Sequence, residues 1–276
     1  MKDRIICYRP GDSVYSISIT GTFCELNCGH CSGRYLSEMK AGEDPKSLIG
    51  AMLKAKEGGA KRVLISGGFN KEGRLPIAGL MDALREGKRR TGLSIEVHSG
   101  VVTEQELDAL ADVGVEALLV DIIGDQETIT DYLGGTWKVE DYQRVLKTAK
   151  GRIPIVAPHI LIGVSDGQVK GEFHAIDMVA EGRVDCLAML TLMDQYGTPR
   201  LDEVEKVMAY ARQKVKATLN LGCMRERGKV RLALEKLAID LGYDGIANPT
   251  NEAMEYARSK GVEPVLVEDC CVFNPV

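Results

Sequence analysis

The chain has 276 residues, 45% hydrophobic and 27% charged, with a formal net charge of −5. This suits a soluble globular protein with room for one large α/β domain, and it leaves no basic face for nucleic acid. The polar opening "MKDRIICYRPGD" does not read as a signal peptide, and no run reaches the ~18 apolar residues of a membrane span. Eight cysteines without a secretory leader therefore point to a reducing cytoplasm and to metal or redox use.

Short, apolar, β-branched runs recur along the chain. They are "VYSISIT" (14–20), "RVLIS" (62–66), "SIEVHS" (94–99), "ALLVDII" (117–123), "IPIVAPHILIG" (153–163), "CLAMLTLM" (186–193), "ATLNLG" (217–222) and "GIAN" (245–248). Amphipathic helical stretches separate them. Asp44-Pro45 supplies a cap and a first-turn proline before "SLIGAMLKAKEGG", which Gly58-Gly59 ends. Thr103 and Glu106 make a capping-box pattern before "LDALADVG". Further helices fit "EDYQRVLKTAKG", "LDEVEKVMAYARQKVK", "KVRLALEKLAIDLG" and "NEAMEYARSKG".

Eight nearly unbroken hydrophobic strands, each followed by a helix, predict a parallel sheet closed as a single (β/α)8-type barrel. No linker marks a second domain. The core is expected over about 14–262, with residues 1–13 and the tail 263–276 folded over the barrel mouth. In such barrels chemistry sits on the loops after the strands, and the loop after the first run reads "GTFCELNCGHC", Gly21–Cys31. Cys24, Cys28 and Cys31 can hold three corners of a four-iron cubane and leave the fourth iron open. A zinc site completed by His30 or a distant cysteine is the alternative.

These residues resemble the signature of the radical S-adenosylmethionine (SAM) superfamily, Cys-x3-Cys-x2-Cys with an aromatic residue before the last cysteine; here that residue is His30. The resemblance implies a TIM-like barrel and a [4Fe-4S] cluster whose open iron chelates SAM, which is cleaved reductively to a 5′-deoxyadenosyl radical. It also implies cofactor contacts. Ser66, Gly67 and Gly68 of "ISGGFN" match the glycine pair beside the SAM methionine, and paired glycines at a strand end permit close approach. Asp121 suits a ribose or substrate hydroxyl, or equally a solvated loop. Gly163 is what remains of the superfamily's Gly-x-Ile-x-Gly-x-x-Glu element, and Met193 falls where relatives back the adenine.

Within the superfamily the chain resembles the biotin-synthase-like group, through "TGLSIEVHSGVVTEQELDALADVGVEALLVD" and "LNLGCMRERG". The four places where biotin synthase ligates its sacrificial two-iron cluster fall on Leu64, Glu96, Ala157 and Asn220, none the required residue. Five cysteines remain. Cys186 begins the sixth run and reads as a core thiol. Cys223 follows the seventh, and Cys7 and the Cys270-Cys271 pair lie in the terminal segments, so these four could meet around a second, auxiliary [4Fe-4S] cluster. The cysteine-ended tail and "GCMRERG" most resemble the shorter protein of the two-protein, archaeal-type lipoyl synthases. That resemblance implies sulfur insertion into a protein-bound octanoyl chain with Cys223 at the sulfur-donating site. The partners it implies are an octanoylated carrier, a second radical SAM protein acting in sequence, and an electron donor. A single-cluster mutase or lyase and a non-catalytic metal scaffold are the competing readings.

Overall fold

In the computed structural model, residues 2–193, 197, 199–228 and 230–273 are described. Parts of "LTLMDQYGTP" and the last three residues of the tail lie outside them. The chain opens with strand β1 (Arg4–Tyr8). Eight strand–helix repeats follow. The first four are β2 (Val14–Ser18), with the short β3 (Lys40–Ala41), and α1 (Pro45–Glu57); β4 (Arg62–Ser66) and α2 (Met81–Thr91); β5 (Ser94–His98) and α3 (Glu104–Val113); β6 (Ala117–Asp121) and α4 (Val139–Ala149). The last four are β7 (Ile155–Ile162) and α5 (Glu172–Gly182); β8 (Cys186–Thr191) and α6 (Leu201–Lys214); β9 (Thr218–Leu221) and α7 (Val230–Asp240); β10 (Gly245–Ala247) and α8 (Asn251–Ser259). Strand β11 (Glu263–Val267) ends the series. The eleven strands belong to one sheet, and every pairing described is parallel. This is the α/β class of a TIM-like barrel that the sequence predicts.

The chain forms two compact units. The first comprises Asp12–Asp121 and Gln126–Val156, with strand order β3-β2-β4-β5-β6. Burial drives it: Val63, Ile65, Ile95 and Val97 are fully enclosed, each side chain contributing roughly 1.5–3 kcal/mol. Helix starts follow the local signals. Asp44 accepts from the backbone N–H groups of Lys46 and Ser47 at 2.9 and 3.1 Å. Thr103 and Glu106 exchange the two bonds of a capping box.

The second unit comprises Met1–Gly11, Ile122–Asp125 and Ala157–Val276. Its strands run β7-β8-β9-β10-β1-β11, and all six residues of β8 are buried, as a sheet covered on both faces requires. Here the structure departs from the sequence reading. "RIICY" and "EPVLV", assigned to covering segments, are strands: β1 pairs with β10 on one side and with β11 on the other. Both are short apolar runs that gain more from ladder hydrogen bonds and burial than from lying on a surface. Only the residues after Val267 fold back. Phe273 N–H donates to Cys270 O at 3.1 Å, and Cys271 packs on Ile6, Tyr8 and Ala247.

Candidate cluster site

The loop after β2 is one tight turn wound around the cysteines. Cys31 N–H and Ser32 N–H both donate to Cys28 O, at 3.1 and 2.7 Å. Asn27 and Ser32 flank the turn with left-handed φ of 44° and 48°, a conformation non-glycine residues adopt only when the surroundings enforce it. The loop after β4 supplies that enforcement. Gly68 N–H donates to Thr20 Oγ1 at 2.7 Å, Glu25 N–H donates to Phe69 O at 3.1 Å, and Cys24 Sγ lies 3.8 Å from Phe69 O.

This stitching explains the glycine pair differently from the sequence reading. A Cβ on Gly68 would stand 2.1 Å from Phe23 O and 2.4 Å from Cys24 Cα. What approaches Gly68 so closely is therefore the cysteine loop's own backbone. At Gly67 a Cβ would meet side chains instead, Leu75 and Thr20, at 3.0 Å. Ser66 is buried at the end of β4.

The three thiols act on one another. Burial, then Cys31 and Cys24, push the Cys28 thiol up to about 12. Burial raises Cys31 as well, with smaller contributions from Cys24 and Asp121. Cys28 and Cys31, thiols that resist ionisation on the same loop as Cys24, suit a strongly cationic iron group, which thiolates ligate and which would supply the missing positive charge. The donor set fits a [4Fe-4S] cluster with one open corner.

A second wall comes from a stretch with no sequence signal. Thr128–Tyr132 forms a single π-helical turn, a rare geometry enriched at functional sites. Tyr132 stacks on His30 with ring centroids 6.2 Å apart and planes 17° apart. Burial keeps His30 below its ordinary pKa, against the opposing pull of Asp121. Its Nδ1 is buried with no hydrogen-bond partner among the described residues. Asp121 Oδ2 lies 3.0 Å from His98 Nε2. Burial alone would lower the pKa of His98, but that carboxylate more than reverses the effect. His98 ends β5 as Asp121 ends β6, and its place at a strand end was the available signal.

The remaining predicted residues lie in the second unit. Gly163 has φ +82°, and its N–H donates to the buried carboxylate of Glu172 at 2.7 Å, so the turn itself requires glycine. Met193 follows β8 and is half-buried. Cys223 follows β9 and is exposed, yet its thiol is raised first by desolvation and next by Cys270, which fits a recessed position. Cys270 also raises Cys186. Cys271 is turned away, buried against Tyr8, and Cys186 and Asn220 both bond to its carbonyl.

Cys7 does not join this group. It alternates with Tyr8 on β1, and burial raises its thiol against the opposing pull of Arg9 and Arg258. Successive strand residues face opposite ways, so Cys7 lies on the face of β1 opposite Ile6 and Tyr8, which pack with Cys271. The loop of Cys223 is anchored by Arg225, which donates to Gly222 O at 2.7 Å and to the fully buried Glu235 at 2.6 Å.

A parallel α/β fold with three cysteines on the loop after the first strand of its repeats defines a class of cluster-binding barrel enzymes. The chain belongs to the radical SAM superfamily, whose family model matches residues 18–176. No curated protein matches it. Solved structures show the same fold at low identity. Methylornithine synthase is 15% identical with TM-score 0.58, over 95% of this chain and 84% of that one. The [FeFe]-hydrogenase maturase of Carboxydothermus hydrogenoformans is 14% identical with TM-score 0.60, over 95% and 68%. SAM-bound SuiB of Streptococcus suis is 14% identical with TM-score 0.58, over 80% and 49%. Membership brings the SAM-binding [4Fe-4S] cluster, and Cys24, Cys28 and Cys31 lie within the matched residues. Among the described residues no helix is long and apolar enough to cross a membrane.

Proposed function

We propose that this radical SAM enzyme inserts sulfur at an unactivated carbon of a protein-bound octanoyl chain, as in lipoyl cofactor biosynthesis. The observation that carries the reading is that Cys270, next after burial, raises the Cys223 thiol, and both are distinct from the three thiols of the SAM-cluster loop. When bound, the SAM cluster supplies a 5′-deoxyadenosyl radical for hydrogen abstraction. A saturated carbon offers neither an acidic proton nor a leaving group, so a sulfur source beside the radical is also needed. We assign that source to an auxiliary [4Fe-4S] cluster on Cys223 and Cys270. His30, Ser66, Gly67, Asp121, Gly163 and Met193 are proposed to contact SAM, while Gly68 acts by admitting the cysteine loop. The partners are an octanoylated carrier, a second radical SAM protein acting in sequence and an electron donor, in the cytoplasm.

The test is Cys223→Ala and Cys270→Ala, each given octanoylated carrier, SAM and reductant under anaerobic conditions. Both variants should form 5′-deoxyadenosine and no thiolated product, with about four fewer irons per chain than the parent. Full iron content with normal sulfur insertion would refute the proposal. About four irons in the parent itself would replace it with a single-cluster mutase or lyase.

A further inference from the structure

The SAM cluster has a neighbouring charge that no motif announces. Lys71 is held by its backbone on both sides. Its N–H donates to Glu25 Oε2 of the cysteine loop at 3.2 Å, and its carbonyl accepts from Thr136 N–H at 2.8 Å and from Thr136 Oγ1 at 3.0 Å. These bonds do not involve the side chain, which reaches along the 133–136 turn. A Cβ on Gly134 would lie 3.5 Å from Lys71 Nζ. The residue before it, Leu133, places its carbonyl oxygen 3.8 Å from Cys28 Sγ.

The ammonium is thus carried to the edge of the cysteine site by two anchored segments. Among the described residues it has no ion-pair partner. Its charge is among those that lower the Cys28 thiol against the upward push of burial.

We propose that Lys71 tunes the SAM cluster electrostatically, favouring the reduced state from which SAM is cleaved. One-electron reduction of a cluster on three thiolates adds one negative charge and breaks no bond. A cation held nearby therefore stabilises the product of reduction more than the reactant. At about 12 Å and an effective dielectric constant of ~20, one charge is worth on the order of a tenfold change in the ratio of reduced to oxidised cluster. That corresponds to about 59 mV for a one-electron couple. The proposal rests on superfamily membership and not on sulfur insertion, so failure of the Cys223 experiment leaves it standing.

The experiment is an anaerobic, dithionite-driven redox titration of the reconstituted full chain without SAM, followed by the electron paramagnetic resonance of the reduced cluster. Parent, Lys71→Met, Lys71→Gln and Lys71→Arg are compared, with iron content measured for each. The two neutral variants should show a reduced-to-oxidised ratio about tenfold lower at fixed potential, and Lys71→Arg should return within about twofold of the parent. A neutral variant with full iron and the parental ratio overturns the proposal. Loss of the cluster from both neutral variants but not from Lys71→Arg supports a need for charge. Loss from all three overturns it, because shape would then matter and charge would not.

Discussion

Replacing Gly68 with alanine separates a glycine that admits SAM from a glycine that admits protein. The new Cβ would stand 2.1 Å from Phe23 O and 2.4 Å from Cys24 Cα, whereas ordinary contact begins at 3.4 Å. Both obstructing atoms are backbone, so no rotamer change relieves them. The Phe23–Cys24 segment must retreat by more than about 1 Å, at the upper end of the 1–3 kcal/mol typical of overpacking. The strain falls on the loop that presents Cys24 and on its 2.7 Å bond from Gly68 N–H to Thr20. The assay is anaerobic reconstitution followed by iron content and 5′-deoxyadenosine formation, with circular dichroism to confirm the fold. We expect a folded protein that loads well under four irons at this site. Gly50→Ala is the control: it lies inside α1 with nothing within 4 Å of its Cβ, and it should stabilise by about 0.5–1 kcal/mol. If Gly68→Ala takes up its full iron and cleaves SAM at the parental rate, the argument from loop packing is wrong.

Alanine at Cys24, Cys28 or Cys31 should abolish reductive SAM cleavage while circular dichroism stays that of the parent; 5′-deoxyadenosine at the parental rate from any of them would contradict the ligand assignment. Cys7→Ala should keep the parental iron content where Cys270→Ala loses about four irons, because Cys7 belongs to the other face of β1; equal losses would refute that division. Glu235→Gln should destabilise by about 3–5 kcal/mol, since Arg225, 3% exposed, would stay buried without its carboxylate, and thermal denaturation should show a fall of several degrees. The same pair sets an acid limit. Burial pushes Glu235 up, but hydrogen bonds from Arg225 and Thr250 outweigh it and leave the pKa lowered. Its stabilisation is therefore fully present above the unfolded value of about 4.3 and is lost as pH falls from there through the folded value. The gap between the denaturation midpoints of parent and Glu235→Gln should narrow progressively as pH falls below about 4, and a constant gap would refute the linkage.

The repeats were legible because a parallel strand buried on both faces must be almost wholly apolar, as β8 is, with all six positions buried and only Thr191 polar. Strands β1 and β11 were not, since each is short, begins beside charged residues and has an ordinary reading as a terminal segment. Cys7 shares that limit, because its side of the sheet relative to Tyr8 follows only once β1 is a strand. The cysteine loop was legible from spacing alone. Its supports were not, because Tyr132 sits on a π turn with no sequence signature, and Lys71 acts through a backbone path that joins three distant segments. The glycines were legible as places of close approach, but a sequence cannot say which atom approaches.

Asn220 shows how the second unit could give Cys270 a fixed address. The resemblance places an arginine ligand of biotin synthase at this position. Here the Asn220 amide instead donates to Cys271 O at 2.5 Å and to Cys186 Sγ at 3.4 Å. The arrangement needs Gly245 opposite, where a Cβ would fall 2.5 Å from the Tyr8 ring and 2.7 Å from Asn220 Oδ1. Tyr8 in turn packs with Cys271. Strands β1, β9 and β10 thus meet at one residue of the tail, and the residue before it is set beside Cys186 and Cys223 by chain connectivity. A tail tied down only by surface contacts would leave Cys270 free to wander, and a shared ligand set with Cys223 would then depend on the metal to assemble it. With Cys271 buried and bonded, the fold itself holds Cys270 where it raises the thiols of Cys186 and Cys223.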